Sequence, residues 1–252
     1  MKRNLSFSEF VSRDILTHGL ILGIILFLVE QFSFAISFSA SGNVRFANEI
    51  DEARFGIIFV GALILASADL VWCIVRRFIG SKSIYSLYMM PVPKPLLYFT
   101  WLFSGVLVVM ILVLARHLSV LCAYLQYEAG IAAYIAEHTR AGSGMATSVR
   151  VEGGALFTAY LRCEHLRMFL PFDFESGAKL FFTLFSLPAL SIRFALSIFA
   201  KKLTFSIILA VMWVLFMLLL GEATFLGFVG LSFVALFSFF SGKNMATLGQ
   251  ML

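Results

Sequence analysis

Six ionisable side chains fall inside long apolar runs: His18, Glu30, Asp69, Arg116, His117 and Arg193. A charge at the centre of a membrane-embedded helix costs about 2.5–3.5 kcal/mol or more, so residues of this kind carry a task. Three kinds of chemistry fit them: ion pairing between helices, a polar path for cargo, or proton relay. The formal charges balance, two acids against two arginines, as pairing requires. Glu30 and Arg116 fall toward one half of their runs, Asp69 and Arg193 toward the other. A relay would call for acids and histidines in series at helical spacing, and no such series occurs. Pairing and a polar path both remain open.

Other chemistry is missing. Gly80-Ser-Lys-Ser and Gly242-Lys-Asn lack the upstream glycine of a phosphate-binding P-loop, so the chain is not expected to bind ATP itself. There is no HExxH zinc helix, no G-x-S-x-G elbow and no EExxxR pattern. The Glu–His pairs at 137–138 and 164–165 have the wrong spacing for a zinc helix. Cys73 and Cys122 lie in apolar runs and Cys163 stands alone in a polar segment, giving neither a disulfide framework nor metal-ligand spacing. No metal, cofactor or enzymatic centre is expected in this chain, and no nucleic-acid partner.

The elements that must carry the six residues are membrane helices. The chain is 61% hydrophobic and only 13% charged, with 29 Phe in 252 residues, against about 25% charged residues in soluble domains. A helix needs about 20 apolar residues to cross the hydrocarbon core. Six stretches meet or approach that length: 15–38, 55–75, 96–125, 180–200, 203–220 and 225–240. The runs are unbroken, which excludes the alternating segments of a barrel. The expected fold is an all-α membrane protein with six transmembrane helices, a single domain over 1–252.

Residues 1–14 are too polar for a signal peptide and read as a short interfacial helix. Ser6 and Glu9 have capping-box spacing, and Leu5 and Phe10 form a hydrophobic staple. With both termini in the cytoplasm, the inner segments hold Lys2, Arg3, Arg13, Arg76, Arg77, Lys82, Lys94, Lys201, Lys202 and Lys243 against Glu9 and Asp14. The excess of basic residues favours this N-in, C-in orientation.

Two loops stand out. Segment 76–95 (RRFIGSKSIYSLYMMPVPKP) links the second and third spans on the cytoplasmic side. Gly80 breaks the preceding helix and Ser81 or Ser83 can cap a new one. Ile84, Leu87 and Tyr88 follow at helical spacing, with Tyr85 and Met89 beside them, and Pro91 stops the turn. Such a helix is either an interfacial connector or a coupling helix that docks on a cytoplasmic partner, since Tyr and Met are enriched at interface cores. Loop 126–179 lies outside. The third span shows no strong breaker before about Thr139 apart from Gly130, so it is expected to project beyond the membrane, and 155–170 to return as a second helix.

The arrangement resembles the permease subunits of type-2 class ABC exporters in their small bacterial forms. The resemblance rests on the basic N-terminal helix, six spans, the segment SIYSLYMMPVPKPLLYFTW between spans two and three, and YLRCEHLRMFLPF. It covers the whole chain in layout. It implies two permease copies, most simply a homodimer, around a central path in the bacterial cytoplasmic membrane. Each copy would place a coupling helix at 81–90, with Ser83, Ile84, Tyr85, Leu87, Tyr88 and Met89, into a dimer of ATP-binding subunits that carry ATP and Mg. The implied cargo is an amphipathic peptide of cytolytic or antimicrobial type, such as a phenol-soluble modulin. The chain departs from the family in having only residues 221–224 between spans five and six, where re-entrant helices are common, so loop 126–179 would do the capping. The alternative is a non-transporting membrane protein, an immunity or sensor component.

Overall fold

The computed structural model describes residues 2–38, 45–79, 94–140, 154–163, 166, 170, 174–199, 208 and 211. Among these residues every regular element is a helix and there is no strand. In chain order they are α1 (Lys2–Ser37), α2 (Phe46–Glu52), α3 (Phe55–Ile79), α4 (Lys94–Arg140), α5 (Ala155–Arg162) and α6 (Phe174–Phe199). Four windows are long and apolar enough to cross a membrane: Ser12–Ser37, Phe55–Arg76, Leu96–Glu137 and Ser176–Ile198. They coincide with the first four expected spans and make this a multi-pass membrane protein. Apart from Ile208 and Val211, the expected fifth and sixth spans lie outside the described residues, as do residues 80–93 of the coupling segment and 141–153 of the outer loop.

Helix α1 differs from expectation. It runs without a break from Lys2 to Ser37, so 2–14 are its first turns and not a separate interfacial helix. No Pro or Gly interrupts the chain before Gly19, and Thr17 Oγ1 donates to Arg13 O at 2.8 Å across the expected junction. Helix α4 bears out the expectation of length: 47 residues at about 1.5 Å each make a rod of about 70 Å, more than twice the hydrocarbon core. The returning helix is shorter than expected. Instead of 155–170, α5 stops at Arg162, where Cys163 turns extended.

Helix α1 lies along α4, while α3 packs against both α1 and α6. Small residues set the approach. A methyl group on Gly19 would stand 2.6 Å from Val108 Cγ2, and one on Gly23 2.9 Å from Ile111 Cγ2. The pair forms a G-x-x-x-G face that lets two backbones close in, as in membrane helix packing generally. Gly105 of α4 does the same for α6: its added methyl would lie 2.6 Å from Pro188 Cβ. Pro188 lacks an N–H for the helix ladder, but its ring fits against a residue with no side chain.

Two cores result. The larger joins α1, α3, α4 and α6 through Leu26, Leu63, Leu70, Trp101, Leu112 and Leu190. The smaller caps one end of the bundle. There α2 and α5 close over Phe34, Phe55 and Val120, with Phe46 against Tyr127 at 5.2 Å between ring centroids. Helix α2 turns into α3 through Arg54, a non-glycine residue at φ 55°, and Ser33 Oγ on α1 donates to Ala53 O in this turn at 2.7 Å. Outside, Leu20, Ile24, Leu28, Phe32 and Ile36 form an exposed apolar stripe on α1, and Phe103, Leu107, Leu114, Leu118 and Leu125 another on α4. Apolar stripes of this length suit a lipid solvent.

Candidate functional site

The six intramembrane ionisable residues do not meet at one centre. They divide among separate layers of the bundle.

The layer next to the capped end is closed. Glu30 of α1 and Arg116 of α4 are both wholly buried, with Arg116 Nη1 3.2 Å from Glu30 Oε1. The same Nη1 donates to Phe55 O at the start of α3 at 2.7 Å, and the guanidinium lies over the Phe59 ring, 4.7 Å from its centroid. One arginine thus ties three spans together. Beside it, Gln31 Nε2 donates to Ser119 O and Ser119 Oγ, both at 2.8 Å, and Gln126 Nε2 donates to Gln31 Oε1 at 3.0 Å. This polar ladder along the α1–α4 seam was not singled out from the sequence, although Gln31 follows Glu30 directly. Enclosed on all sides, the pair acts as a strut.

At the capped end itself, His117 turns away from Arg116 toward α5, with Nδ1 3.0 Å from the Tyr160 hydroxyl. Cys163, at the end of α5, donates its thiol to Ala47 O of α2 at 3.6 Å. Burial pushes the Cys163 thiol up to about 12, and the neighbouring Asp51 carboxylate adds to the shift. Burial also raises Asp51, with the Cys163 hydrogen bond opposing it, and raises Tyr160. Helix α2 carries a buried Glu49 as well. Helix α2 was not singled out from the sequence, although Phe46, Ala47, Ile50 and Ala53 recur on one face.

The third layer lies nearer the other end. His18 of α1 stands with Nδ1 2.9 Å from Asp69 Oδ1 of α3. Cys73, one turn on from Asp69, places Sγ 3.6 Å from His18 Nδ1 and 3.8 Å from Asp69 Oδ2. Twelve residues of α1 separate His18 from Glu30, about 18 Å along the axis, so the two layers share no hydrogen bond. Asp69 also borders a narrow cavity, roomy enough for about one water molecule, between Ser67, Gly105, Pro188 and Ser191. Arg193 of α6 is placed near Tyr98 of α4, its electrostatic neighbour.

The geometry places an ion pair in one layer, Glu30 with Arg116, and a hydrogen-bonded contact in another, Asp69 with His18. Cys73 was read as a plain apolar-run cysteine; the signal that could have found it is its i, i+4 spacing from Asp69. The coupling residues Ser83, Ile84, Tyr85, Leu87, Tyr88 and Met89 lie outside the described residues. No protein family, curated protein or solved structure matches this chain.

Proposed function

We propose that this chain is the permease subunit of an ATP-driven exporter of amphipathic cytolytic or antimicrobial peptides, with ATP hydrolysis on a separate subunit. The supporting observation is the unbroken α4. It starts at Lys94, within the last two residues of segment 76–95, and runs for 47 residues, about 70 Å, to the far side of the bundle. A partner that moves this segment moves one end of a rod whose middle carries Arg116 and His117. On this reading the chain has six spans, both termini and 76–95 face the cytoplasm of a bacterium, and α5 belongs to an outer cap. Two copies pair around the cargo path, and a dimer of ATP-binding subunits with ATP and Mg receives the coupling helices.

The experiment is co-purification from the native host, followed by ATPase assay in liposomes. The expected outcome is an ATP-binding partner that stays bound, with peptide-stimulated hydrolysis that Tyr85→Ala with Tyr88→Ala abolishes while the protein remains folded. A folded preparation that retains no ATP-binding subunit would sink the proposal. The closed Glu30–Arg116 layer favours a second reading, a non-transporting immunity or sensor component. It predicts that the tyrosine changes alter nothing but folding.

A further inference from the structure

His18, Asp69 and Cys73 bring three different ligand types to one point. Their nitrogen, oxygen and sulfur atoms all lie within 4.8 Å of one another. Zinc binds imidazole nitrogen at about 2.0–2.1 Å, carboxylate oxygen at about 2.0–2.2 Å and thiolate at about 2.3 Å. In a tetrahedron those lengths set ligand-to-ligand edges of about 3.3–3.6 Å. The observed edges are 2.9 Å for His18 Nδ1 to Asp69 Oδ1, 3.6 Å for Nδ1 to Cys73 Sγ and 3.8 Å for Sγ to Asp69 Oδ2. The first and third of these distances use different oxygens of Asp69; with one oxygen per carboxylate the three ligand atoms still lie within 4.8 Å of one another, so a turn of the carboxylate and a shift of about 1 Å close them on the ion.

The scaffold is suited to hold that geometry. Asp69 and Cys73 are one turn apart on α3 and share a face. His18 precedes Gly19, whose contact with Val108 fixes that turn of α1 against α4. The His18 and Asp69 side chains keep 40% and 25% of their surface exposed, so the trio is not sealed inside the bundle.

Charge favours it too. Binding a divalent ion with loss of the thiol proton gives two negative ligands against two positive charges, a neutral site in a low-dielectric setting. The mixed nitrogen, oxygen and sulfur set selects a borderline ion over magnesium or calcium, which take oxygen alone.

We propose that His18, Asp69 and Cys73 form a three-ligand site for a divalent transition metal of the zinc class, clamping α1 to α3. A fourth position is left for water or another donor.

Cobalt(II) serves as the probe, added to the purified full chain in detergent with no polyhistidine tag. The expected result is one equivalent bound, with the visible bands of tetrahedral cobalt and a thiolate-to-metal charge-transfer band, all displaced by Zn2+. Cys73→Ser removes the charge-transfer band. His18→Gln and Asp69→Asn each weaken binding at least tenfold, and Cys122→Ser leaves it unchanged. A second measurement guards against a misfolded variant: alkylation of each cysteine in the unmodified chain, followed by mass spectrometry. Zn2+ is expected to slow labelling at Cys73 at least tenfold and to leave Cys122 unchanged. Absence of the tetrahedral cobalt spectrum, its charge-transfer band persisting in Cys73→Ser, or equal Cys73 labelling with and without Zn2+ overturns the site.

Discussion

Arg116 and Glu30 meet at 3.2 Å with neither side chain reaching the surface. Glu30 Oε2 and Arg116 Nε and Nη2 have no hydrogen-bond partner among the described residues. A pair of this kind is expensive to bury and more expensive to break, because removing one partner leaves the other charge uncompensated. Arg116→Met or Glu30→Leu alone should therefore destabilise the protein by about 3–5 kcal/mol. The two together should cost far less than the sum, since an apolar pair of similar volume is often neutral. Denaturant titration in mixed micelles reads both; additive losses would show that the pair is not the strut described.

The α1–α4 seam makes a second prediction with a clear sign. Gly to Ala inside a helix normally gains about 1 kcal/mol from propensity. At Gly19 the new methyl would meet Val108 Cγ2 at 2.6 Å, and overpacking of that kind costs about 1–3 kcal/mol. Gly19→Ala should thus lower stability, and Val108→Ala in the same chain should restore part of the loss. A double-mutant cycle with no coupling between the two positions would contradict the close approach.

What could be read from the sequence followed from range. Each of the four spans shows itself in about 20 consecutive apolar residues, which is local information. The length of α4 was legible because nothing stronger than Gly105 and Gly130 interrupts its interior, and glycines packed under Pro188 and the Phe38 ring do not end a helix. The partners of the charges were not legible, because they depend on how helices rotate against one another. His18 sits 51 positions from Asp69, and Glu30 sits 86 from Arg116. Helix α2 was hidden by its brevity: seven residues holding Glu49, Asp51 and Glu52 look like a loop until Phe46 and Ile50 are seen buried. The expected break at 14 failed because capping-box spacing at Ser6 and Glu9 marks where a helix can start, and nothing after it stops the helix.

The capped end has a pH signature. Cys163 is raised in the folded protein from an ordinary 9.0 to about 12 by burial and then by Asp51. A raised group contributes stability that is complete below its unfolded value and is lost as pH rises through the folded one. The contact of α5 with α2 should therefore weaken between pH 9 and about 12, and Cys163→Ala should flatten that part of the stability profile. At pH 8 the same shift keeps the Cys163 thiol protonated, so iodoacetamide should label it about a thousandfold more slowly than a free thiol. Asp51→Asn should speed the labelling only modestly, because burial is the larger cause. Rapid labelling of Cys163 in folded protein would mean that α5 does not dock on α2.

The surface of α4 changes character along its length, and this locates the membrane boundary. Phe103, Leu107, Leu114, Leu118, Leu121 and Leu125 are exposed and apolar. Beyond them the exposed positions are Gln126, Glu128, Ala129, Ala132, Ala133, Ala136 and Glu137. A single cysteine at Ala133, in a chain whose own cysteines are replaced by serine, should react with a membrane-impermeant maleimide. One at Leu114 should not. In the proposed orientation the Ala133 position reacts in intact cells, since about fifteen residues of α4 stand outside the apolar band, about 22 Å at 1.5 Å per residue. Labelling of Ala133 only after the cells are opened would reverse the orientation. It would move segment 76–95 to the outside, where no ATP-binding subunit could grip it, and would overturn the exporter reading directly.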